Sequence, residues 1–233
     1  MRRWPTAFVE VELSCGEKTV ALESKVQEWA RNMKQVKVRQ HNQVSEVPNV
    51  QPGVLIVSSA TGEGIHDLAA AMEATLTASD GHVFSAYRAD PAGAAKGAIV
   101  VIQEIFGVNH HIRALADGFA VDGYVAIAPA LYDRAEKGVE LGYDEEGRQS
   151  GMAIREKVEW DDVVKDIIAA REAVADAGKV GIVGYCYGGT VTWLGACKGG
   201  FDAAVGYYGG GIHTMLDLDA GCPVQLHFGE KDQ

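Results

Sequence analysis

A cysteine stands between two glycines in the segment VGIVGYCYGGTVTW, residues 180–193. Gly184 and Gly188 each lie two residues from Cys186, which gives the spacing Gly-x-Cys-x-Gly. An apolar run typical of a strand precedes the cysteine, and a run typical of a helix follows it. A thiol at such a junction can be an inert packing residue or the nucleophile of a covalent reaction.

The junction itself favours the nucleophile. In a nucleophile elbow, a sharp strand-to-helix turn leaves no room for side chains two residues before and after its central residue. The turn strains the central backbone and projects the reactive atom into a pocket, where a helix N-terminus and a partner histidine favour the thiolate. We therefore interpret Cys186 as a nucleophile. Cys197 lies inside the following helix and Cys222 precedes Pro223, so we interpret both as packing residues.

The elements that must position this cysteine follow from hydrophobic patterning. From about residue 78 onward, continuous apolar runs alternate with helix-like segments in which apolar residues recur at helical spacing. This alternation is typical of a doubly wound α/β domain, whose mostly parallel strands are covered on both faces. The predicted strands are residues 82–88, 98–103, 124–128, 180–183, 203–208 and 224–228. Helices are predicted at 109–120, 160–177 and from about 188, with a long polar loop before residue 160.

Residues 1–77 differ in character and are interpreted as an N-terminal extension of unclear role, ahead of a domain over 78–233. The segment 33–51 is polar and rich in Gln, Lys and Asn. A strand at 54–57 and a short amphipathic helix at 65–76 are predicted after it.

The composition of the chain limits which classes of protein it can belong to. The chain has 233 residues, 47% of them apolar, and a formal net charge of -11. No apolar run approaches the roughly 20 residues that cross a bilayer, and no signal peptide is recognisable. Four cysteines without a CxxC pair indicate neither a disulfide scaffold nor a zinc site. We expect a cytoplasmic protein that acts on a small molecule, needs no cofactor or metal, and binds neither nucleic acid nor membrane.

Five segments together resemble the dienelactone hydrolase family. They are VVIQEIFGVN, GYVAIAPALYDR, GKVGIVGYCYGG, AVGYYGG and HFGEKD, and they follow one another in the order of that family. The resemblance covers about residues 76–233 and implies an α/β-hydrolase fold. It also implies hydrolysis of an ester or lactone, with 4-carboxymethylenebut-2-en-4-olide, which is opened to maleylacetate, as the namesake substrate.

The resemblance implies roles for individual residues. Cys186 matches the nucleophile, and Asp232 matches the acid that orients the catalytic histidine. Glu104, in QEIFG, matches a glutamate that contacts the resting thiol and helps to generate thiolate when substrate binds. The backbone N–H groups of Tyr187 and Ile105 would form the oxyanion hole.

Arginines hold the substrate carboxylate in family members that take dienelactone. Arg148, in YDEEGRQS, is the nearest match to one of them, and a solvated surface arginine is the alternative interpretation. Arg155 is a poorer candidate. A second anion-binding arginine would follow the catalytic histidine, beyond Gln233.

The catalytic histidine is expected after the acid, because this fold takes its partners in the chain order nucleophile, acid, histidine. None of the seven histidines follows Asp232; they are His41, His66, His82, His110, His111, His213 and His227. We therefore predict a fold that is incomplete at its C-terminus, with the histidine beyond Gln233 and negligible esterase turnover by the chain as written. A catalytically incomplete hydrolase fragment is the corresponding alternative function.

A second resemblance lies in residues 54–76. The segment VSSATGEGIHDL is similar to the guanine-contacting loop and last helix of Ras-like GTPases of the ribosome-assembly kind. The alternative interpretation is a Ser/Thr/Gly turn that caps a helix. A GTPase-derived binding module in residues 1–77 is therefore a competing hypothesis.

We predict that residues 1–77 bind no guanine nucleotide. No GxxxxGK[ST] loop is present to cradle phosphates and no NKxD motif is present to read guanine. Calorimetric titration of the protein with GTP should show no heat of binding, and micromolar affinity would overturn the prediction.

Overall fold

The computed structural model describes residues 36–40, 43–47 and 71–230. The chain divides into two compact units, Met1–Leu68 and Ala69–Gln233. In the first unit, strands β1 (Val36–Gln40) and β2 (Gln43–Val47) pair antiparallel. This hairpin lies within the segment that the sequence identifies only as polar. The role of residues 1–77 as a separate extension stays a prediction.

The second unit is built on a seven-stranded sheet, in the order β3-β4-β6-β5-β7-β8-β9. Its strands are β3 (Ala71–Thr77), β4 (Val83–Ala89), β5 (Ala98–Ile102), β6 (Val125–Pro129), β7 (Val180–Tyr185), β8 (Ala203–Tyr207) and β9 (Val224–His227). Its α-helices are α1 (His110–Val121), α2 (Glu145–Arg155), α3 (Trp160–Glu172) and α4 (Tyr187–Lys198). Short 3-10 turns are formed by Leu131–Arg134, Ala175–Ala177 and Ile212–Thr214. The pairs β3-β4 and β4-β6 are antiparallel, and β6, β5, β7, β8 and β9 run parallel.

Both faces of the central strands are buried. Val100 and Ile102 of β5 pack in one apolar cluster with Ile167 of α3. Val101, which alternation turns to the other face, packs in a second cluster with Ile112 of α1. Strands buried on both faces read as continuous apolar runs, which is why the sequence reveals them. The predicted doubly wound, mostly parallel α/β fold is confirmed.

The parallel half of the sheet fixes where the segments after each strand lie. Ile102 at the end of β5 pairs with Gly184 of β7, and Tyr185 at the end of β7 pairs with Tyr207 of β8. The carboxyl ends of parallel strands meet at one edge of the sheet. The residues that follow β5, β7 and β8 are therefore neighbours at that edge.

The predicted helix at 65–76 is wrong where the structure describes it. Residues 71–76 belong to strand β3, in which Leu76 pairs with Phe84. Leu76 is buried whereas Met72 is exposed, because β3 lies at the edge of the sheet. Ala, Met and Leu favour helix intrinsically, but pairing with β4 decides the conformation here.

The predicted long loop before residue 160 is also wrong, because it contains helix α2. Asp144 caps this helix, and its side chain accepts a hydrogen bond from the Gly147 N–H at 2.7 Å. The helix predicted at 160–177 ends earlier, at Glu172, and a 3-10 turn follows. Among the helices of the described residues, none is long and apolar enough to cross a bilayer.

A buried ion pair joins the 3-10 turn after β6 to helix α3. The Arg134 guanidinium donates to Asp166 through Nε at 2.9 Å and through Nη2 at 2.7 Å. It also donates to Asp80, in the turn between β3 and β4, at 3.0 Å. Asp166 is fully buried and the Arg134 side chain is 12% exposed. Burial raises the pKa of Asp166, while Arg134 opposes that shift.

We expect Asp166→Ala to lower the free energy of unfolding by about 3 kcal/mol, because it leaves two guanidinium N–H groups buried without their acceptor. Lys165→Ala on the same helix is the control, since Lys165 forms only solvent-exposed pairs with Asp80 and Asp162. Urea denaturation should show a large change for the first variant and little for the second. Equal changes would contradict a structural role for the buried pair.

Candidate active site

Cys186 occupies a strained turn between β7 and α4. Its backbone has a φ of 55° and a ψ of -118°, a conformation that residues with a Cβ rarely adopt. The Cys186 N–H donates to the Tyr207 carbonyl at 3.0 Å, and its carbonyl accepts from the Gly189 N–H at 3.0 Å. These bonds hold the strained residue from both sides.

The two flanking glycines are required by close backbone contacts. A Cβ on Gly184 would lie 2.1 Å from the Gly188 carbonyl oxygen. A Cβ on Gly188 would lie 2.6 Å from the Gln103 oxygen and 2.7 Å from the Ile102 oxygen. No substitution at these positions fits without moving backbone. The structure thus gives the physical reason for the Gly-x-Cys-x-Gly spacing.

Glu104 lies beside the cysteine because Ile102 of β5 pairs with Gly184 of the parallel strand β7, and Glu104 and Cys186 each lie two residues beyond that pair. Glu104 is only 9% exposed, yet its carboxylate has two donors. The Tyr143 hydroxyl donates to Oε2 at 2.5 Å, and the Tyr208 hydroxyl donates to Oε1 at 3.3 Å. Tyr208 follows β8 and has a positive φ of 42°. Three chain segments therefore meet at this carboxylate.

The electrostatics of the site oppose ionisation of the resting thiol. Burial is the largest cause that raises the pKa of Cys186, and the Glu104 charge raises it further. A hydrogen bond from the Tyr187 backbone N–H acts in the opposite direction. The helix N-terminus does favour thiolate, as the sequence suggests, but the other two causes outweigh it. The pKa of the Cys186 thiol therefore lies above that of an ordinary cysteine.

The two proposed oxyanion donors come from the residue after Cys186 and from the turn after β5. Tyr187 presents its N–H to the Cys186 sulfur, and its ring is buried against Tyr132 and Trp160 at centroid distances of 5.9 and 5.7 Å. Ile105 follows Glu104 in a turn, and within the described residues its N–H donates to no acceptor. A Cβ on Gly151 of α2 would lie 2.1 Å from the Ile105 carbonyl oxygen, so α2 packs directly on this turn.

The two candidate arginines make other contacts. Arg148 on α2 is 51% exposed and forms a bidentate pair with Glu145, at 2.7 and 2.9 Å. The Arg155 guanidinium stacks 4.1 Å from the centroid of the Trp160 ring. Neither arginine donates to Cys186 or Glu104. The assignment of Arg148 as a substrate-binding residue stays a prediction.

Asp232 lies outside the described residues, so its assignment as the catalytic acid stays a prediction. Of the histidines within residues 71–230, none bonds to Cys186. The His227 ring stacks on Tyr207 at 4.6 Å, and His213 Nδ1 contacts the Gly210 carbonyl at 2.6 Å. His110 and His111 begin helix α1, which Asn109 caps.

Tyr143 and Tyr208 are site residues that the sequence reasoning missed. Tyr208 belongs to the AVGYYGG segment of the family resemblance, so a signal for it was present. Tyr143 lies in the segment predicted as loop, 39 residues from the carboxylate that it contacts. Only the fold brings that pair together. No group of three or more metal-binding side chains is found among the described residues.

Comparisons with known proteins agree on one family. The model of the Dienelactone hydrolase family matches residues 84–233. A carboxymethylenebutenolidase of Pseudomonas putida is 39% identical over 160 residues, which cover 66% of this chain and 68% of the relative. Another carboxymethylenebutenolidase, of a Pseudomonas species, is 31% identical over 166 residues and covers 68% and 69%.

Two solved structures are similar to this chain. A provisionally assigned dienelactone hydrolase of Klebsiella pneumoniae is 35% identical, with a TM-score of 0.50, and the match covers 60% of each chain. The chain thus spans less than two thirds of that relative. A dienelactone hydrolase-like promiscuous phosphotriesterase from metagenomic libraries has a TM-score of 0.51 over 70% of each chain. Its 20% identity shows the fold alone.

These matches give no support to the GTPase resemblance of residues 54–76, which lie ahead of the matched region. The matched region instead begins in β4 and includes the Gly-x-Cys-x-Gly turn, Glu104 and the strands that position both. We conclude that this chain belongs to the dienelactone hydrolase family.

Proposed function

We propose that this protein opens a lactone or cleaves a small carboxylic ester through Cys186, in the manner of a carboxymethylenebutenolidase. The observation that carries the proposal is the strained position of Cys186, φ 55°, between β7 and the N-terminus of α4. Backbone strain of this kind persists where it serves a site. The names of the Pseudomonas relatives support the choice of reaction.

The proposed first step is acylation of the cysteine. The thiolate sulfur bonds to the substrate carbonyl carbon, and the carbonyl oxygen becomes an oxyanion. The N–H groups of Tyr187 and Ile105 are suitable donors to that oxygen, and one such donor is commonly worth about 3 kcal/mol in the transition state. The carbon–oxygen bond of the lactone or ester then breaks, and water later releases the acid and restores the thiol.

Proton transfers in this scheme need groups beyond the thiol. Glu104 is a carboxylate whose charge acts on the Cys186 thiol, and it is our proposed acceptor of the thiol proton once substrate binds. Asp232 is proposed to orient a catalytic histidine, as the family resemblance implies. Such a histidine would protonate the leaving oxygen and activate water for the second step.

A carboxylate-bearing substrate is proposed from the position of Arg148. This residue lies on α2, which packs on the Ile105 turn through Gly151 and begins just after Tyr143. Its guanidinium would exchange the exposed Glu145 carboxylate for a carboxylate of the substrate. A surface pair of this kind is weak enough to be exchanged.

The setting proposed for this reaction is the cytoplasm, with a small molecule as the partner and neither nucleic acid nor membrane. Three cysteines that the structure describes are free thiols, which fits a reducing compartment; they are Cys186, Cys197 and Cys222. The net charge of -11 opposes binding to nucleic acid or to anionic lipid.

We predict that Cys186→Ala abolishes the burst of p-nitrophenol from p-nitrophenyl acetate. A single-turnover burst isolates acylation, which needs the nucleophile and the oxyanion donors but no deacylation step. Cys197→Ala is the matched control and should retain the full burst, because Cys197 lies three turns along α4 from the elbow. A burst that survives loss of Cys186, or that disappears with Cys197, would refute the assignment.

We predict that Arg148→Ala raises the half-saturating concentration for acylation by a carboxylate-bearing lactone about tenfold, because a charge-assisted bond is lost. Neutral esters should be nearly unaffected. Arg155→Ala is the control, since Arg155 packs on Trp160, and any effect should be equal for both substrates. If Arg148→Ala raises the half-saturating concentration for neutral esters as much as for the anionic lactone, Arg148 does not bind the substrate carboxylate.

A further inference from the structure

The Glu104 carboxylate is held by two phenol hydroxyls that come from separate parts of the chain. Tyr143 stands immediately ahead of Asp144, the residue that caps α2, and Tyr208 follows β8. The bond from Tyr143 is short, at 2.5 Å, and the bond from Tyr208 is longer, at 3.3 Å. No lysine, arginine or histidine within the described residues donates to Glu104. Among the described residues, the two hydroxyls are the side-chain groups that donate to this carboxylate.

We propose that Tyr143, assisted by Tyr208, is a positioning residue that holds the Glu104 carboxylate and draws its charge away from the Cys186 sulfur. The inference rests on the proposed role of Cys186 as the nucleophile. It assigns to Tyr143 control over how readily that thiol loses its proton, although Tyr143 itself forms no bond to the sulfur.

The charged groups around Glu104 and Cys186 determine how the two tyrosines can affect ionisation of the thiol. The groups that interact electrostatically with Glu104 are Cys186, Tyr143, Tyr208 and Tyr185, and Tyr132 also interacts with the thiol. Glu104 is the one carboxylate among them, and like charge disfavours the thiolate. A donor that shares the carboxylate charge lowers the repulsion felt at sulfur. Loss of that donor raises it.

Both tyrosines remain donors at neutral pH. Burial raises the pKa of Tyr143 above its ordinary value, and the hydrogen bond to Glu104 raises it further. Burial and the Glu104 charge do the same for Tyr208. Each phenol is therefore protonated at neutral pH and can donate to Glu104.

Tyr143 is suited to a conservative substitution. The residue as a whole is 58% exposed although its hydroxyl is partly buried against Glu104, and its ring packs on Phe106 at a centroid distance of 4.4 Å. Phenylalanine keeps that ring contact and removes only the hydroxyl. Tyr87 offers a matched control, because its hydroxyl donates to a different carboxylate, Asp117, at 2.7 Å.

The test is the pH dependence of Cys186 alkylation by iodoacetamide, followed by mass spectrometry of the peptide that contains Cys186. In the parent protein the midpoint should lie above that of an ordinary cysteine, because burial and Glu104 raise the thiol pKa. Tyr143→Phe should move the midpoint upward by about half a pH unit, which is roughly threefold slower alkylation below the midpoint. Tyr208→Phe should give a smaller shift in the same direction. Tyr87→Phe should give none.

Glu104→Gln decides whether the hydroxyl acts through the carboxylate. This variant should lower the midpoint, and adding Tyr143→Phe to it should have no further effect. An unchanged midpoint in Tyr143→Phe would overturn the proposal, as would a shift of equal size with and without Glu104. Alkylation requires no ester turnover, so failure of the hydrolase proposal would be seen separately, as an acylation burst that survives Cys186→Ala.

Discussion

The contact between the elbow and the end of β5 governs the geometry of the whole site. Gly188 lies so close to the Ile102 and Gln103 carbonyls that a single added carbon would collide with both. This approach seats the start of α4 against the segment that carries Glu104 and Ile105. The positive φ of Cys186 follows, because the chain must turn sharply from β7 to enter α4 at that point. A loosened elbow would separate the thiol, the carboxylate and both backbone donors at once.

The same contact creates an electrostatic conflict at the thiol. Cys186 is half-buried beside a carboxylate, and both conditions favour its neutral form. A neutral resting thiol is protected from adventitious oxidation and alkylation, since the thiolate is the reactive form. The tyrosine hydroxyls on Glu104 then set how large the opposing charge is.

Much of this arrangement could be predicted from the sequence, because the strands and the elbow each have a recognisable local residue pattern. The apolar strands β5 and β7 are continuous runs, and the Gly-x-Cys-x-Gly spacing identifies the elbow that follows β7. Helix α2 could not be found in the same way. Its buried residues are Gly147, Gly151 and Ile154, so it lacks the apolar stripe that reveals a helix. Its packing depends on glycines that allow close backbone approach, and the contact of Tyr143 with Glu104 depends on that packing.

The central claim is that Cys186 forms a covalent acyl intermediate. The most direct measurement is peptide mass spectrometry of the protein quenched in acid shortly after mixing with p-nitrophenyl acetate. We expect one acetyl group on the peptide that contains Cys186 and none on the peptides that contain Cys197 or Cys222. An acetyl group on another residue while Cys186 stays unmodified would contradict the account.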